Sequence, residues 1–495
     1  MIGKEQQIKN SFIYFMSVIA ITAMPFITLP IFTRILSRED YGVLALSQIY
    51  AIFLTGLLNF GMKNAYNRNF FQYRDDRQKT AELLYSILLF VLTNFFLFGV
   101  LTFLFQKPIA SFITHSADNG NIIFWSYCAH FFGSVNYYYL IYFRNSEAAK
   151  SYTAYTIASS LINLVVSIFL VAVFRIGIIG IVYAQLCSGL IIFFLLSNKF
   201  RIMHPPAVNG KVFIETLKIS YPMAPRVFLG VINTQFDKYM ISLLANIGGV
   251  GLYNIGQRAS NVIFVFMGAI QNVFSPQVYK MMFDMRENGG KKIGKYLTPF
   301  CYISILVALI IALFAQEFIV VLTPKQYHGA INVVTILSMV YGLCFFGKQP
   351  QLMFAKKTGI ISLVMLLRIV VNIGINIPFI ARWGIYGAAW ATFLAEVISG
   401  GISFMVSQHY YKIEWEYKKI GTIFLIFFVS SILIVFMRHF LVSYMLRVIF
   451  KLGVVSGYVY VGVRLRVITR ENYNMVKKIV FTFRNNLEKC SPSGA

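Results

Sequence analysis

The sequence predicts an all-α polytopic membrane protein. It should have fourteen transmembrane helices, forming two six-helix lobes related by a pseudo-twofold along the membrane normal, plus two C-terminal helices. Three observations lead there. Of 495 residues, 58% are apolar and only 13% charged, against about 45–50% and about 25% in a soluble domain. Fourteen apolar windows of spanning length follow one another along the chain. Lys and Arg gather in alternate connections between them.

Forty-eight Phe, 30 Tyr and a mean hydropathy of +0.68 would overfill any single soluble core. Disorder, collagen and a disulfide-rich secreted scaffold are excluded by the same figures. The net charge of +26 comes from 44 Lys and Arg against 18 Asp and Glu. A basic balance suits either nucleic acid or anionic lipid. No basic domain stands outside the apolar windows, so the expected partner is membrane lipid and not nucleic acid. The five Cys (Cys128, Cys187, Cys301, Cys344, Cys490) show no paired or metal-like spacing, and four lie in apolar stretches. They read as small buried hydrophobes.

A hydrocarbon core of about 30 Å needs about 20 helical residues. The windows run approximately 11–33, 41–61, 81–105, 121–143, 151–174, 178–197, 219–244, 249–279, 297–322, 329–354, 359–381, 385–408, 420–437 and 441–463. The first begins at Ser11 and is too long for the core of a signal peptide, so it reads as a retained helix. The connections are short and leave no room for an extramembrane catalytic domain.

Orientation follows from the basic residues of the connections. With the N-terminus inside, 30 Lys and Arg fall on the cytoplasmic side, among them Lys63, Arg68, Lys211, Lys291 and Lys292. The opposite connections hold seven: Arg34, Arg38, Lys107, Arg175, Lys325, Arg382 and Arg438. The bias holds connection by connection only for an even number of spans, which places both termini in the cytoplasm. The tail after Arg464 mixes Arg466, Arg470, Lys477, Lys478, Arg484 and Lys489 with apolar residues, a pattern suited to a helix on anionic lipid.

An internal repeat divides the chain. Arg175-Ile176-Gly177-Ile178-Ile179-Gly180, followed by Tyr183-Ala184, recurs 207 residues later. The second copy reads Arg382-Trp383-Gly384-Ile385-Tyr386-Gly387, followed by Trp390-Ala391. Gly42 and Gln48 recur as Gly251 and Gln257 at an offset of 209. The offset covers six windows, an even number, so both copies point the same way. The expected domains are a lobe over 1–200, a second over 201–415, two added helices over 416–465 and a basic cytoplasmic tail over 466–495.

A charge at bilayer depth costs roughly 2.5–3.5 kcal/mol on insertion scales, so each needs a reason. Window 7 places Arg226, Asn233 and Asp237 along one line, and window 8 places Asn254, Arg258, Asn261, Gly268 and Asn272 along another. Thr392, Glu396, Ser399 and Ser403 share a face of window 12, Arg368 and Asn372 lie in window 11, and Lys348 in window 10. Such stripes are either interhelical glue, with Asp237 paired to Arg258 or Lys238, or the lining of a water-filled cavity. The sign favours an anionic ligand. Arg226, Lys238, Arg258, Lys348 and Arg368 outnumber the acids Asp237 and Glu396, and the guanidinium fork suits phosphate oxygens. Arg226, Arg258, Arg368 and Lys348, with Arg34 at the end of the first window, are the candidate headgroup-phosphate ligands. Asn233, Asn254, Asn261 and Asn272 are the candidate polar lining. Asp237 and Glu396 either carry a coupling ion or compensate a neighbouring cation.

Pro25 and Pro30 interrupt window 1, and Pro222 and Pro225 interrupt window 7. They read as static kinks or as points where these helices bend. Gly342-Leu-Cys-Phe-Phe-Gly347-Lys348 resembles a phosphate loop, but Gln349 replaces the required Ser/Thr and no strand precedes it. The six His have no metal spacing or nucleophile partner. No catalytic residue, metal or cofactor is expected.

Pro25-Phe26-Ile27-Thr28-Leu29-Pro30, then Thr33-Arg34-Ile35-Leu36-Ser37-Arg38-Glu39-Asp40-Tyr41-Gly42, resembles the opening signature of the bacterial polysaccharide transporters. These are lipid-linked oligosaccharide flippases of the multidrug/oligosaccharidyl-lipid/polysaccharide exporter superfamily. Phe236-Asp237-Lys238, Gly251-Leu252-Tyr253 and Ser275-Pro276 are similar to the signature opening the second lobe. Ser37 stands where the family often has Gly. The resemblance covers residues 1 to about 411 and extends loosely to the end. It implies alternating access by two lobes and an undecaprenyl-pyrophosphate-linked oligosaccharide as substrate, an O-antigen, capsule or similar repeat unit. It also implies the bacterial cytoplasmic (inner) membrane, with a polysaccharide polymerase and chain-length machinery as partners. In the related lipid II flippases the last two helices form a groove for the lipid tail, carried over to windows 13 and 14 by span count alone. Two other functions compete. A drug/cation antiporter of the same superfamily would need the opposite interior charge. A membrane polymerase or ligase acting on the same lipid-linked sugars would need a larger external loop.

Overall fold

The computed structural model describes residues 4–346 and 350–467, with no strand among them. Eighteen α-helices follow in order. The first nine are α1 (Lys4–Ile35), α2 (Arg38–Leu58), α3 (Met62–Tyr73), α4 (Arg77–Leu104), α5 (Gln106–Thr114), α6 (Gly120–Asn145), α7 (Ala149–Ile168), α8 (Ile179–Met203) and α9 (Gly210–Ser220). The rest are α10 (Ala224–Leu244), α11 (Ile247–Met285), α12 (Gly289–Leu313), α13 (Ala315–Leu322), α14 (Ala330–Leu343), α15 (Pro350–Phe354), α16 (Thr358–Tyr410), α17 (Tyr417–His439) and α18 (Tyr444–Arg464). Lys348 and the tail beyond Val467, including Cys490, lie outside the described residues.

Each predicted window falls largely on helix. Among the described residues nine helices are long and apolar enough to cross a membrane, and ten with α11, which bends by 42° between Ile247–Asn272 and Phe274–Met285. The protein is a multi-pass membrane protein. One of the nine, α16, carries two windows in 53 residues, divided where Gly384 leaves helical geometry at φ 55° and ψ −131°. The windows on α6 and α10 fall short of that apolarity for a visible reason. α6 is rich in Tyr and Asn, and α10 carries Arg226, Asp237 and Lys238.

The chain packs as two compact units. One comprises the residues up to Arg258 with Glu317–Val333 and Met365–Ala395; the other comprises Ala259–Gln316, Val334–Val364 and the chain from Glu396. In the first, α6 packs on α2 and α8, α7 on α1 and α8, and α10 on α2. The short helices α3 and α9 are amphipathic. α3 buries Met62, Ala65, Tyr66, Asn69 and Phe70, the 3.6-residue stripe of a surface helix. Asn69 Nδ2 donates to Thr216 Oγ1 of α9 at 2.9 Å, and Tyr73 donates to Glu215 Oε2 at 2.7 Å. In the second unit α12 packs on α17 and α18. There Tyr458 donates to Tyr302 O at 2.9 Å and Tyr302 to Tyr458 O at 3.2 Å.

Both halves of the sequence repeat have structural counterparts. α2 opens on a capping box. Ser37 Oγ accepts from Asp40 N at 3.1 Å, and Asp40 Oδ2 accepts from Ser37 N at 2.9 Å, two orphan donors satisfied at once. Ser37 thus has a local role that Gly could not fill. One turn further on, α2 meets the start of α11 at reciprocal glycines. A Cβ at Gly42 would overlap the carbonyl oxygen of Ile247, and one at Gly251 would overlap the carbonyl oxygen of Arg38. Arg38 lies four residues before Gly42, and Ile247 four before Gly251. Small residues allow this close approach of two backbones. The other echo also recurs in conformation: Gly177 has φ +72° and Gly384 φ +55°, a region open to glycine at little steric cost.

The prolines differ between the two opening windows. Pro25 and Pro30 lie inside α1. Pro222 and Pro225 instead occupy a 3₁₀ turn (Tyr221–Met223) and the first turn of α10. A first-turn proline lacks only an N–H that has no helical partner there, so these two begin the helix and do not interrupt it.

Candidate functional site

A polar cluster in the first unit is built on Asp237 of α10. Asn376 Nδ2 donates to its Oδ1 at 2.9 Å, Thr392 Oγ1 to its Oδ2 at 3.0 Å, and Tyr253 OH to the same oxygen at 3.3 Å. Asn376 Nδ2 also lies 2.9 Å from Asn372 Oδ1. Tyr253 comes from α11, Asn372 and Asn376 from the first arm of α16, and Thr392 from its second. Gly384 turns the chain between the two arms.

Every hydrogen-bond partner of Asp237 is neutral. The alternative pairing with Lys238 or Arg258 is not formed. Lys238 is buried, and its Nζ lies 3.3 Å from Gln235 Oε1. Asn376 Oδ1 is buried without a donor among the described residues. The cluster therefore collects a carboxylate and two amide oxygens in one place, with hydroxyl and amide donors holding the carboxylate still. Oxygens in this arrangement suit a proton or a hard cation. Without either, the ionised carboxylate would have Lys238 as its charged neighbour but no ion pair with it.

Arg258 sits one turn beyond Asn254 on α11. It is exposed, with Tyr41 and Lys238 as its charged or titratable neighbours. It makes no ion pair or hydrogen bond among the described residues. Asn254 is buried, and its Nδ2 finds no acceptor among those residues. Arg226 is exposed in the first turn of α10 and Asn233 is half-buried. Asn261 and Asn272 are exposed on α11, and Arg368 is half-buried on α16. Arg34 is exposed, with its guanidinium 2.7 Å from Pro30 O.

Glu396 belongs to the second unit. It is 4% exposed and lines a cavity of about 270 Å³ with Phe346, Phe404, Trp415 and Tyr417. Thr392, expected on the face of Glu396, bonds to Asp237 instead. Sequence reasoning also missed Asn376 and Tyr253 as partners of Asp237. A signal existed for Asn376, which follows Asn372 by one helical turn.

The same unit as the polar cluster holds a cavity of about 950 Å³ among α2, α4, α5 and α10, walled by Tyr50, Phe53, Phe98, Phe105, Phe112 and Phe236 among others. Its chemistry is that of a hydrocarbon chain.

The family model described as polysaccharide biosynthesis protein matches residues 8–282, more than half of the chain. The chain belongs to this polysaccharide biosynthesis protein family. No curated protein matches it by sequence. Among solved structures, the inward closed conformation of the lipid II flippase MurJ is similar with a TM-score of 0.68 and 16% identity, over 93% of this chain and 100% of that one. An inward-facing multidrug resistance MATE family transporter of the MOP superfamily is similar with a TM-score of 0.63 and 14% identity, over 81% of this chain and 95% of that one. A MOP superfamily transporter from Pyrococcus furiosus, described as having a binding pocket of reverse polarity, gives 0.59 and 13%, over 85% and 96%. These similarities show that the family member has the MOP superfamily fold.

Proposed function

We propose that this protein is a flippase that moves an undecaprenyl-pyrophosphate-linked oligosaccharide, an O-antigen, capsule or similar repeat unit, from the cytoplasmic to the outer leaflet. The observation that carries this reading is Arg258, an exposed guanidinium on a long apolar helix with no ion pair among the described residues. A site for a cationic drug would present an unpaired acid there. A drug/cation antiporter is therefore the weaker alternative, and a polymerase or ligase would need an acceptor-binding domain for which the short connections among the described residues leave little room. The protein acts as a transporter and not as an enzyme, with no cofactor.

The mechanism follows from the residues. Arg258 and Arg226, with Arg368, Lys348 and Arg34, attract the pyrophosphate, and Asn233, Asn254, Asn261 and Asn272 supply polar lining for the sugars. Fourteen spans form two six-helix lobes over 1–200 and 201–415, which rock about the substrate, with two further helices over 416–465 and a basic tail over 466–495. Both termini are cytoplasmic in the bacterial inner membrane, where a polymerase and chain-length machinery take up the flipped product. Asp237 is the coupling site, exchanging a proton or sodium ion among the oxygens of Asn372 and Asn376. Because Asn376 and Thr392 flank the break in α16, ion exchange at Asp237 acts on the packing of both arms against α10. Glu396, in an apolar cavity without Thr392, is the secondary coupling candidate.

The deciding experiment is the identity of the lipid-linked intermediate accumulating in a deletion strain, paired with flipping of that intermediate in proteoliposomes. A build-up of cytoplasmic-leaflet lipid-linked oligosaccharide, relieved by the reconstituted protein, supports the reading. Unchanged levels together with export of cationic dyes would replace it with the antiporter.

A further inference from the structure

We propose that a further cavity, at the external ends of the helices, is a saccharide-binding site that holds the sugar portion of the substrate as it leaves. This rests on the transport reading for the source of the sugar, and on the loop-charge orientation for the word external.

The cavity has a volume of about 680 Å³ and lies wholly within the first unit, inside the about 300–1,000 Å³ range of small-ligand sites. Its walls come from four junctions: α1 to α2, the end of α5, α10 to α11, and the break in α16. These are the connections that the charge bias places outside. Its wall residues include Arg38, Glu39, His115, Asn246, Trp383 and Tyr386.

Those six side chains are the chemistry of sugar recognition. A pyranose presents hydroxyls around its edge and an apolar face of C–H groups. Planar polar groups bond the hydroxyls in pairs, and aromatic rings cover the face. Trp383 is 50% and Tyr386 37% exposed, unlike the large buried aromatics of the core. Arg38 Nε and Glu39 Oε1 pair at 2.8 Å while each side chain remains about half exposed, so both retain free donors and acceptors. The backbone makes room for them. A Cβ at Gly248 would come within 2.7 Å of Glu39 Oε1, and Gly384, between the two aromatics, has no heavy atom within 4 Å of its Cβ position.

The charge distinguishes this cavity from the Arg258 region. A carboxylate beside the guanidinium offsets its charge and repels phosphate, so the ligand is a polyhydroxylated group and not a pyrophosphate. The competing role for Trp383 is a membrane anchor, since the Arg382 guanidinium lies 5.4 Å above its ring and such residues collect at interfaces. An anchor does not account for the ion pair, Asn246 and His115 lining the same open concavity.

The chain has four Trp, which makes the test direct. The full-length protein, with Trp125, Trp390 and Trp415 changed to Phe, is placed in nanodiscs and titrated with oligosaccharides from partial acid hydrolysis of the host's own surface polysaccharide. A saturable change in Trp383 emission is expected, weakened about tenfold or more by Glu39→Gln. In the native-Trp background, Trp383→Ala should weaken oligosaccharide binding in calorimetry to a similar extent. Emission that ignores the oligosaccharide, that responds equally to inorganic phosphate, or that changes only with lipid headgroup composition overturns the proposal. The transport reading is tested separately by the deletion strain. Accumulated lipid-linked oligosaccharide with a silent Trp383 refutes the external site alone, whereas a responsive Trp383 without accumulation refutes the transport reading alone.

Discussion

Asn376 Nδ2 donates to Asp237 Oδ1 at 2.9 Å, tying α10 to the first arm of α16 through a carboxylate whose hydrogen-bond partners are all neutral. Thr392 ties the same carboxylate to the second arm. One side chain thus reports on the packing of three helical segments.

Asp237→Asn is the direct probe of coupling. The amide keeps the shape and removes the charge: its oxygen can still accept from Asn376, and its nitrogen can donate to Thr392 Oγ1 once that hydroxyl turns to Ala388 O, 2.8 Å away. Flipping in proteoliposomes under imposed pH, sodium and voltage gradients should lose its dependence on the coupling ion in Asp237→Asn and keep it in Glu396→Gln. An unaltered gradient response in Asp237→Asn reduces the cluster to interhelical glue.

Arg226→Ala and Arg258→Ala should each lower transport while membrane insertion stays intact, and Arg→Lys should restore only part of it because the bidentate fork is lost. The double Ala variant is measured in the same flipping assay. Full activity there removes both residues from the substrate path.

The reciprocal glycines predict a stability effect away from the polar cluster. Gly42→Ala and Gly251→Ala each force a Cβ into a carbonyl oxygen, overpacking that typically costs about 1–3 kcal/mol. Thermal unfolding in detergent should show both variants melting well below the parent. Gly268→Ala serves as the control, since its Cβ would meet nothing within 4 Å.

Orientation is checked by single cysteines at three exposed basic positions. Lys211→Cys and Lys291→Cys should react with an impermeant thiol reagent only after permeabilisation, and Lys107→Cys in intact cells. Labelling of Lys291→Cys in intact cells contradicts the proposed topology.

The helices were legible in the sequence because apolar length is a local property, readable without knowing any neighbour. The repeat was legible because single positions carry it: Gly177 and Gly384 are conformational requirements, and Gly42 and Gly251 are close-approach requirements. Partnership was harder. Window 7 showed that Asp237 needed a reason to be buried, yet which side chains satisfy it depends on how α10, α11 and the folded-back α16 meet. Periodicity placed Thr392 with Glu396 because both lie on one helical face. The Thr392 hydroxyl instead donates across to Asp237 of α10. Pro222 and Pro225 misled in the opposite way, since an apolar window cannot mark where one helix stops and the next begins.

The contact between Gly42 and Gly251 has the form of a seam in a symmetric dimer, where the residue that receives also intrudes. Such a seam is made by surfaces and not by the peptide linking them. The exposed Pro205–Pro206 stretch between α8 and α9 then serves as a tether that raises the effective concentration of one half near the other. Two genes encoding the chain on either side of that stretch should yield polypeptides that find each other in the membrane and rebuild the transporter, as subunits would.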